Sequence, residues 1–303
     1  MKLSRIFLAL ALTFGAVGAV HAQAPADAFV LCTGKGEGNY VRAGNTLAKY
    51  NNSVVVKKTE GSMDNLNKVL SGECAGGFVQ SDALKTFQDQ NAAAISQIKR
   101  VGPLYQEYVH LLVNKKWAEK NGVKSIKDLK DGTRVAVGAD GSGSAITWSA
   151  FVNASKAGWF KGKKYDKISP VPSADYSDLM AANDGKDIQA VLWVSSFGAQ
   201  FVKKDAAEFE NLVLLDTADK DFSEAKDAAG DAIYSFTEIP AGTYPKSLPS
   251  GSLWGTKAVE TIGIDAVFVI NQKWAAANRE AYTKLLRGYN AARTDIKALV
   301  GQK

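Results

Sequence analysis

Apolar positions along the chain alternate between short β-branched runs and stretches of helical spacing. Phe29-Val30-Leu31-Cys32 reads as a strand, and Val41, Leu47, Ala48 and Tyr50 mark a helix after it. Val54-Val55-Val56 reads as a second strand. Met63, Leu66, Val69 and Leu70 then recur at helical spacing, with Ser62 predicted as the N-cap and Gly72 as the stop. Gly77-Phe78-Val79-Gln80 is a third strand, closed by Ser81-Asp82, where Asp82 can cap the next helix. This βαβαβ order predicts a parallel sheet, and ligands of open parallel sheets sit beyond the carboxyl ends of the strands.

The same grammar returns a hundred residues later. Leu104-Tyr-Gln-Glu-Tyr-Val-His-Leu-Leu-Val113 is long enough to cross between two lobes, and Ser125-Ile-Lys-Asp128 opens a short helix ending by Gly132. Val135-Ala-Val137, a turn of glycine and serine, and a helix through Phe151 and Val152 repeat the first unit. A segment near 168–171, a helix over 176–182, and strands at 188–194 and 212–215 follow. An irregular stretch then runs through Ile239-Pro-Ala-Gly-Thr-Tyr-Pro245. Thr261-Ile-Gly-Ile-Asp-Ala-Val-Phe-Val-Ile270 returns as a second crossing strand, and helices cover 272–300. The pattern predicts an α/β chain of two βα lobes joined by crossing hinge strands. One lobe takes residues 27–108 and 262–303, the other 109–261.

Each lobe has a strand that stops at a glycine-rich bend and feeds a helix. The first bend is Thr33-Gly34-Lys35-Gly36-Glu37-Gly38-Asn39-Tyr40, and the second runs from Gly138 through Gly141-Ser142-Gly143-Ser144. Such bends leave N–H groups at the positive end of a helix dipole, a cradle for anionic or polar ligands. The candidate ligand-binding set is therefore Thr33, Gly34, Gly38, Asn39, Tyr40, Ser62, Gln80, Ser81, Glu107, Ser142, Gly143, Ser144, Trp193 and Ser195. Hydroxyls come from Thr33, Ser62, Ser142 and Ser144, while Tyr40 and Trp193 offer rigid pocket walls. Glu107 suits a ligand ammonium or braces the hinge, and Lys35 is an added partner for a carboxylate. Neither cradle holds an arginine for bidentate carboxylate binding.

The amino terminus adds an address. Lys2 and Arg5 precede an uncharged apolar run over 6–20, and Val20-His21-Ala22 offers small residues for cleavage after Ala22. This layout predicts a secretory signal peptide over 1–22 and a periplasmic protein. Fifteen apolar residues fall short of the roughly 20 that a spanning helix needs. Loss of Lys2 and Arg5 lowers the formal charge of +6 to +4, and the basic residues are scattered, which argues against a nucleic-acid groove. Cys32 and Cys74 are an even pair in a compartment that tolerates disulfides. Their positions near opposite ends of neighbouring strands oppose a bridge, whose Cα separation stays under about 7 Å. Both states stay open.

Catalytic and cofactor readings are thin. Gly34, Gly36 and Gly38 are spaced G-x-G-x-G, and Lys57-Lys58 stands where a dinucleotide fold would place an acidic residue, so no cofactor is expected. Cys32, Cys74 and His110 have no metal-ligand spacing. His110, the one histidine after the leader, lies in an apolar strand and reads as a structural or hinge residue.

Residues 33–40, Gly61-Ser-Met-Asp-Asn65, Phe78-Val-Gln-Ser-Asp82, Leu104-Tyr-Gln-Glu-Tyr-Val-His110, and Asp128 through Gly138 form one ordered set of segments. Gly141-Ser-Gly-Ser144, Ile239-Pro-Ala-Gly-Thr-Tyr244 and residues 259–267 complete it, in order along nearly the whole chain. This set resembles the TAXI group, the TRAP-associated extracytoplasmic solute-binding proteins. The resemblance implies a type II periplasmic-binding-protein fold and delivery of a small carboxylate to a TRAP membrane permease. It also implies ligand contact by the turn after the first strand, Ser62, Gln80-Ser81 and the second Gly-Ser turn. The expected solute is a carboxylate, a dicarboxylate or an amino acid such as glutamate. The chain departs from the family in carrying Lys35 and Glu37 within the first bend, and Ser195-Ser196-Phe197-Gly198-Ala199 after the later strand. A monomer is expected, with the membrane met only through the permease. A ligand sensor reporting to a membrane receptor would use the same pocket, and an exported enzyme on this scaffold lacks a placed acid–base pair.

Overall fold

The computed structural model describes residues 28–157, 169–171, 188–196, 212–219, 222, 225–226, 230, 232–244 and 258–302. The leader over 1–22 and the helix expected over 176–182 lie outside the described residues.

The first unit folds as its pattern dictates. Strand β1 (Phe29–Cys32) is followed by α1 (Asn39–Tyr50), β2 (Val54–Lys57), α2 (Ser62–Ser71) and β3 (Gly76–Gln80). Both β2 and β3 pair with β1 in parallel. Helix α2 ends at Gly72, whose φ of 83° is a left-handed C-cap open to glycine at no steric cost. Its start differs from expectation. Gly61, at φ 122°, is the N-cap and Ser62 is already helical. The Ser62 hydroxyl instead accepts from the Gln80 N–H at 3.2 Å, tying α2 to the end of β3. Helices α3 (Ser81–Gln90) and α4 (Ala92–Gln97) follow. Ser81 opens α3, so Asp82 sits inside the first turn and accepts from Ala83 N–H at 2.8 Å.

Two long strands then carry the chain across the molecule. Strand β4 (Ile98–Asn114) pairs by its first part with the last part of β10 (Val259–Asn271), antiparallel. The second part of β4 pairs with β7 (Ala190–Ser195) and β8 (Leu212–Leu215). Likewise, the first part of β10 pairs with β9 (Tyr234–Ile239) and its last part with β3. Each long strand therefore serves two ends of one sheet, ordered β2-β1-β3-β10-β4-β7-β5-β6. Glu107 lies at the changeover, opposite Ile264. The irregular stretch expected from Ile239 begins where β9 ends, with residues 241–244 in turn and bend, and strand β9 itself is not among the strands expected from the sequence. Its full antiparallel ladder with β10 supplies the hydrogen bonds that a single strand cannot make alone.

The far end of the sheet comprises β5 (Arg134–Ala136) and β6 (Ser169–Val171), parallel to each other, with β5 also parallel to β7. It carries α5 (Lys115–Asn121), a 3₁₀ turn at Ile126–Asp128, and α6 (Gly143–Ala157). Ser125 and Asp128 form the capping box that the sequence announced. Helices α7 (Gln272–Ala277) and α8 (Arg279–Ala298) return to the first end.

The near end of the sheet is covered on both faces. Phe29, Leu31, Phe78 and Phe268 pack with Leu47 of α1 and Leu285 and Tyr289 of α8. Their neighbours Val79, Val267 and Val269 point the other way, onto Leu66, Val69 and Phe87 of α2 and α3. Period-two alternation thus feeds two cores from the same strands. The far core gathers Val109, Leu111, Val135, Trp148, Phe151 and Phe222.

Cys32 and Cys74 form a disulfide with a Cα separation of 5.9 Å. The objection from strand offset fails because Cys74 precedes β3. It lies in the turn after α2, where its N–H donates to Lys68 O, and this turn brings it back beside the end of β1.

Candidate functional site

A cavity of about 340 Å³ opens between the two ends of the sheet. The near wall consists of Lys35, Tyr40, Glu60, Gly61, Ser62, Gln80 and Glu107, and the far wall of Gly138, Ala139, Asp140, Ser142, Gly143, Ser144, Trp193 and Val194. This size is typical of small-molecule sites.

The N-terminus of α2 faces this space from one side and that of α6 from the other. Unpaired N–H groups at both ends favour negative or polar groups on a guest. On the far wall, Gly138 (φ 85°) and Gly141 (φ 75°) take left-handed conformations that turn the chain from β5 into α6. Ser142 Oγ accepts from the Ala145 N–H at 3.3 Å, and Ser144 Oγ accepts from Val194 N–H at 2.9 Å, fixing the bend to β7. Gly143 presses on the opposite wall: a Cβ there would lie 1.9 Å from Gln80 Oε1. That oxygen is buried and has no hydrogen-bond partner among the described residues.

The floor is Glu107, 6% exposed. Burial pushes its carboxyl up to about 8, the nearby Asp82 adds to the rise, and hydrogen bonds from Tyr40 and Gln80 oppose it. Glu107 is thus neutral at pH 7 in the empty cavity. The Tyr40 hydroxyl donates to Glu107 Oε2 at 3.2 Å, and burial followed by the Glu107 charge holds that phenol well above its ordinary value.

The structure brings Tyr40, Ser62, Gln80, Glu107, Ser142, Gly143, Ser144 and Trp193 of the expected set to one cavity. The rest stand elsewhere. Thr33 is fully buried, its hydroxyl donating to Lys57 O at 3.0 Å. Gly34 and Gly38 build the first bend without reaching the cavity wall. Asn39 Nδ2 donates to Ser196 Oγ at 2.7 Å and so joins the walls above the cavity. Ser81 Oγ donates to Ile233 O, and Ser195 ends β7 beyond the lining. The near-side amides come from Gly61-Ser62 rather than from the first glycine bend. The glycine at 61, directly before the helical run, was the signal: its φ of 122° is open to glycine and to few other residues. Lys35 and Glu37 in the first bend pair with Glu60 and Lys58, strapping it to the loop before α2.

His110 is fully buried away from the cavity wall. Its Nδ1–H donates to Tyr108 O at 2.9 Å, so Nε2 accepts from the Tyr244 hydroxyl. Burial lowers its pKa to about 4.

The model of the NMT1-like family matches residues 31–286. The chain belongs to the NMT1-like family. Among solved structures, this NMT1-like chain is similar to the ligand-binding core of GluR0 in complex with L-glutamate. Identity is 13%, the match covers 89% of this chain and 96% of that one, and the TM-score is 0.50. The alkanesulfonate-binding protein SsuA from Xanthomonas axonopodis pv. citri, bound to MOPS, gives 15% identity, 92% and 76% coverage, and a TM-score of 0.49. Lactococcal OpuAC complexed with glycine betaine gives 16%, 91% and 90%, and 0.48. The fold of this NMT1-like protein is the type II periplasmic-binding-protein fold.

Proposed function

We propose that this protein is an exported carrier that captures a small carboxylate-bearing solute, an amino acid or a dicarboxylate, and delivers it to a TRAP-type membrane permease. The observation that carries the reading is the cavity between the sheet ends, with the N-termini of α2 and α6 on opposite walls and Glu107 beneath. Helix amides and the serine hydroxyls suit a carboxylate. Glu107, neutral when the cavity is empty, suits an ammonium by giving up its proton. An amino acid uses both, and is the form of solute we favour.

Residues 27–108 with 262–303, and residues 109–261, act as lobes that hinge where β4 and β10 change partners. Contacts made only in the closed form shift the population toward it. The permease partner and the periplasmic address rest on the TAXI-like segments and on the leader-like residues 1–22. Carriage rather than turnover is supported by His110, which is committed to Tyr108 and Tyr244.

A thermal-shift panel of amino acids, keto acids and dicarboxylates tests the assignment. A solute at 100 times its dissociation constant stabilises the protein by about 2.7 kcal/mol. Ser62→Ala then lowers affinity for that solute measured on the folded protein, and it also lowers the melting point of the empty protein, because the buried Gln80 N–H loses its acceptor. A panel with no binder overturns the solute class, and unchanged affinity in Ser62→Ala removes the Ser62 hydroxyl from the site.

A further inference from the structure

Asp82 lies outside the cavity lining, yet its carboxylate joins the two sides of the cleft. It is 2% exposed, on the first turn of α3. Its Oδ1 accepts from Ala83 N–H at 2.8 Å, within its own helix. Its Oδ2 accepts from Thr147 on α6 at 2.7 Å and from Tyr234 on β9 at 3.2 Å. Thr147 and Tyr234 are themselves buried, and both belong to the far side. A buried carboxylate without donors is costly, whereas opening the cleft would return this one to water. We propose that Asp82 is the positioning residue of cleft closure: Thr147 and Tyr234 grip its carboxylate only in the closed form and so set the open–closed balance.

Charge makes the device tunable. Facing Asp82 are Tyr234 from β9 and Glu107 from β4. Residues 143–152 of α6 carry no ionisable group, and on α3 itself Lys85 is paired with Asp89. Burial pushes Asp82 up to about 6 in this closed form, against the pull of its donors. Exposed in the open form, it would ionise near the usual carboxylate value of about 3.9. The closed form therefore binds the proton more tightly, and closure becomes easier as pH falls from about 6 toward 4. Above about pH 7 this contribution is flat, because the side chain is ionised in both forms.

The inference rests on the reading of a cleft that opens and closes, but its test needs no solute. Single-molecule energy transfer between dyes on Lys49→Cys and Lys120→Cys reports the separation of the two sides in the empty, full-length protein; both positions are exposed. Thr147→Val, nearly isosteric, removes one donor to a buried charge and is expected to move the balance about tenfold toward open at pH 7.5. Tyr234→Phe should act in the same direction. In the Asp82→Asn background the Thr147→Val shift should shrink severalfold, since the charge it served is gone. Asp82→Asn should also abolish the pH response below 6 and leave any response from Glu107 between 6 and 8. Unchanged distances in Thr147→Val and Tyr234→Phe overturn the latch, as does a Thr147→Val shift that is equally large with Asp82 or Asn at that position. Variant-dependent distances together with an empty solute panel overturn the solute assignment alone.

Discussion

The two strand–bend–helix units read alike in the sequence and serve the cavity unequally. At the near end, the bend after β1 is lashed inward. Asn65 donates to Thr33 O and Phe78 O, at 2.5 and 2.7 Å, and accepts from Thr59. The Cys32–Cys74 bridge closes the same corner. The bend after β5 is held by the lighter clasp of Ser142 and Ser144, and nearly all of it faces the cavity. Similar local grammar thus yields a structural corner in one place and a binding wall in the other. The difference lies in what surrounds each bend, not in its glycines.

Breaking the corner should have the largest effect. Cys32→Ser with Cys74→Ser frees a loop of sequence separation 42 and is expected to cost about 4 kcal/mol of stability by chain entropy. Chemical denaturation should show the loss, while the affinity of the folded fraction for its solute stays near wild type. Loss of affinity at unchanged stability would mean that the corner belongs to the site after all.

The opposite pattern is expected at the far bend. Gly143→Ala places a methyl group against Gln80 and should weaken solute binding about tenfold, roughly 1.4 kcal/mol, with little change in melting point. Gln80→Ala added to it should restore closure in the energy-transfer measurement, although the Gln80 contact with the solute is lost. A Gly143→Ala protein that closes normally would show that Gln80 swings aside.

The smallest effect sharpens the choice of solute. Glu107 has its pKa raised to about 8 in the empty site, and pairing with an ammonium would lower it. Binding then expels a proton between the bound and free values, so affinity for an amino acid rises with pH up to about 8 and is flat above. Calorimetric titration across pH 6–9 reads this slope, and Glu107→Gln should abolish it. A simple dicarboxylate that accepts from protonated Glu107 gives the reverse sign, with affinity falling as pH passes above 8.

Much of the architecture was legible because it is local. The Val54-Val55-Val56 run, the helical spacing of Leu66 and Val69, the Gly72 stop and the Ser125–Asp128 box each act within a few residues. Strand β9 was missed although Tyr234, Phe236, Thr237 and Ile239 favour strands: Phe236 is half exposed, so its apolar residues do not mark one buried face, and its ladder partners lie 20 to 30 residues on. Eight of the expected site residues meet at one cavity because strand ends and helix starts are where a parallel sheet exposes its polar groups. Thr33, Gly34 and Gly38 carry the same grammar, but Asn65 and Lys57, far away in sequence, claim the polar groups of that corner.

By itself the sequence determined most of the described strands, bends and helices, β9 apart, because propensity, capping and period act at short range. Only the tertiary structure decided which of two similar bends faces the cavity, that Cys74 turns back onto Cys32, and that Asp82 finds its donors across the cleft. Those outcomes depend on the contact of Asn65 with Thr33, on the pairing of β1 with β3 and on the contact of α3 with α6, whose partners lie too far apart along the chain for any local signal to connect them.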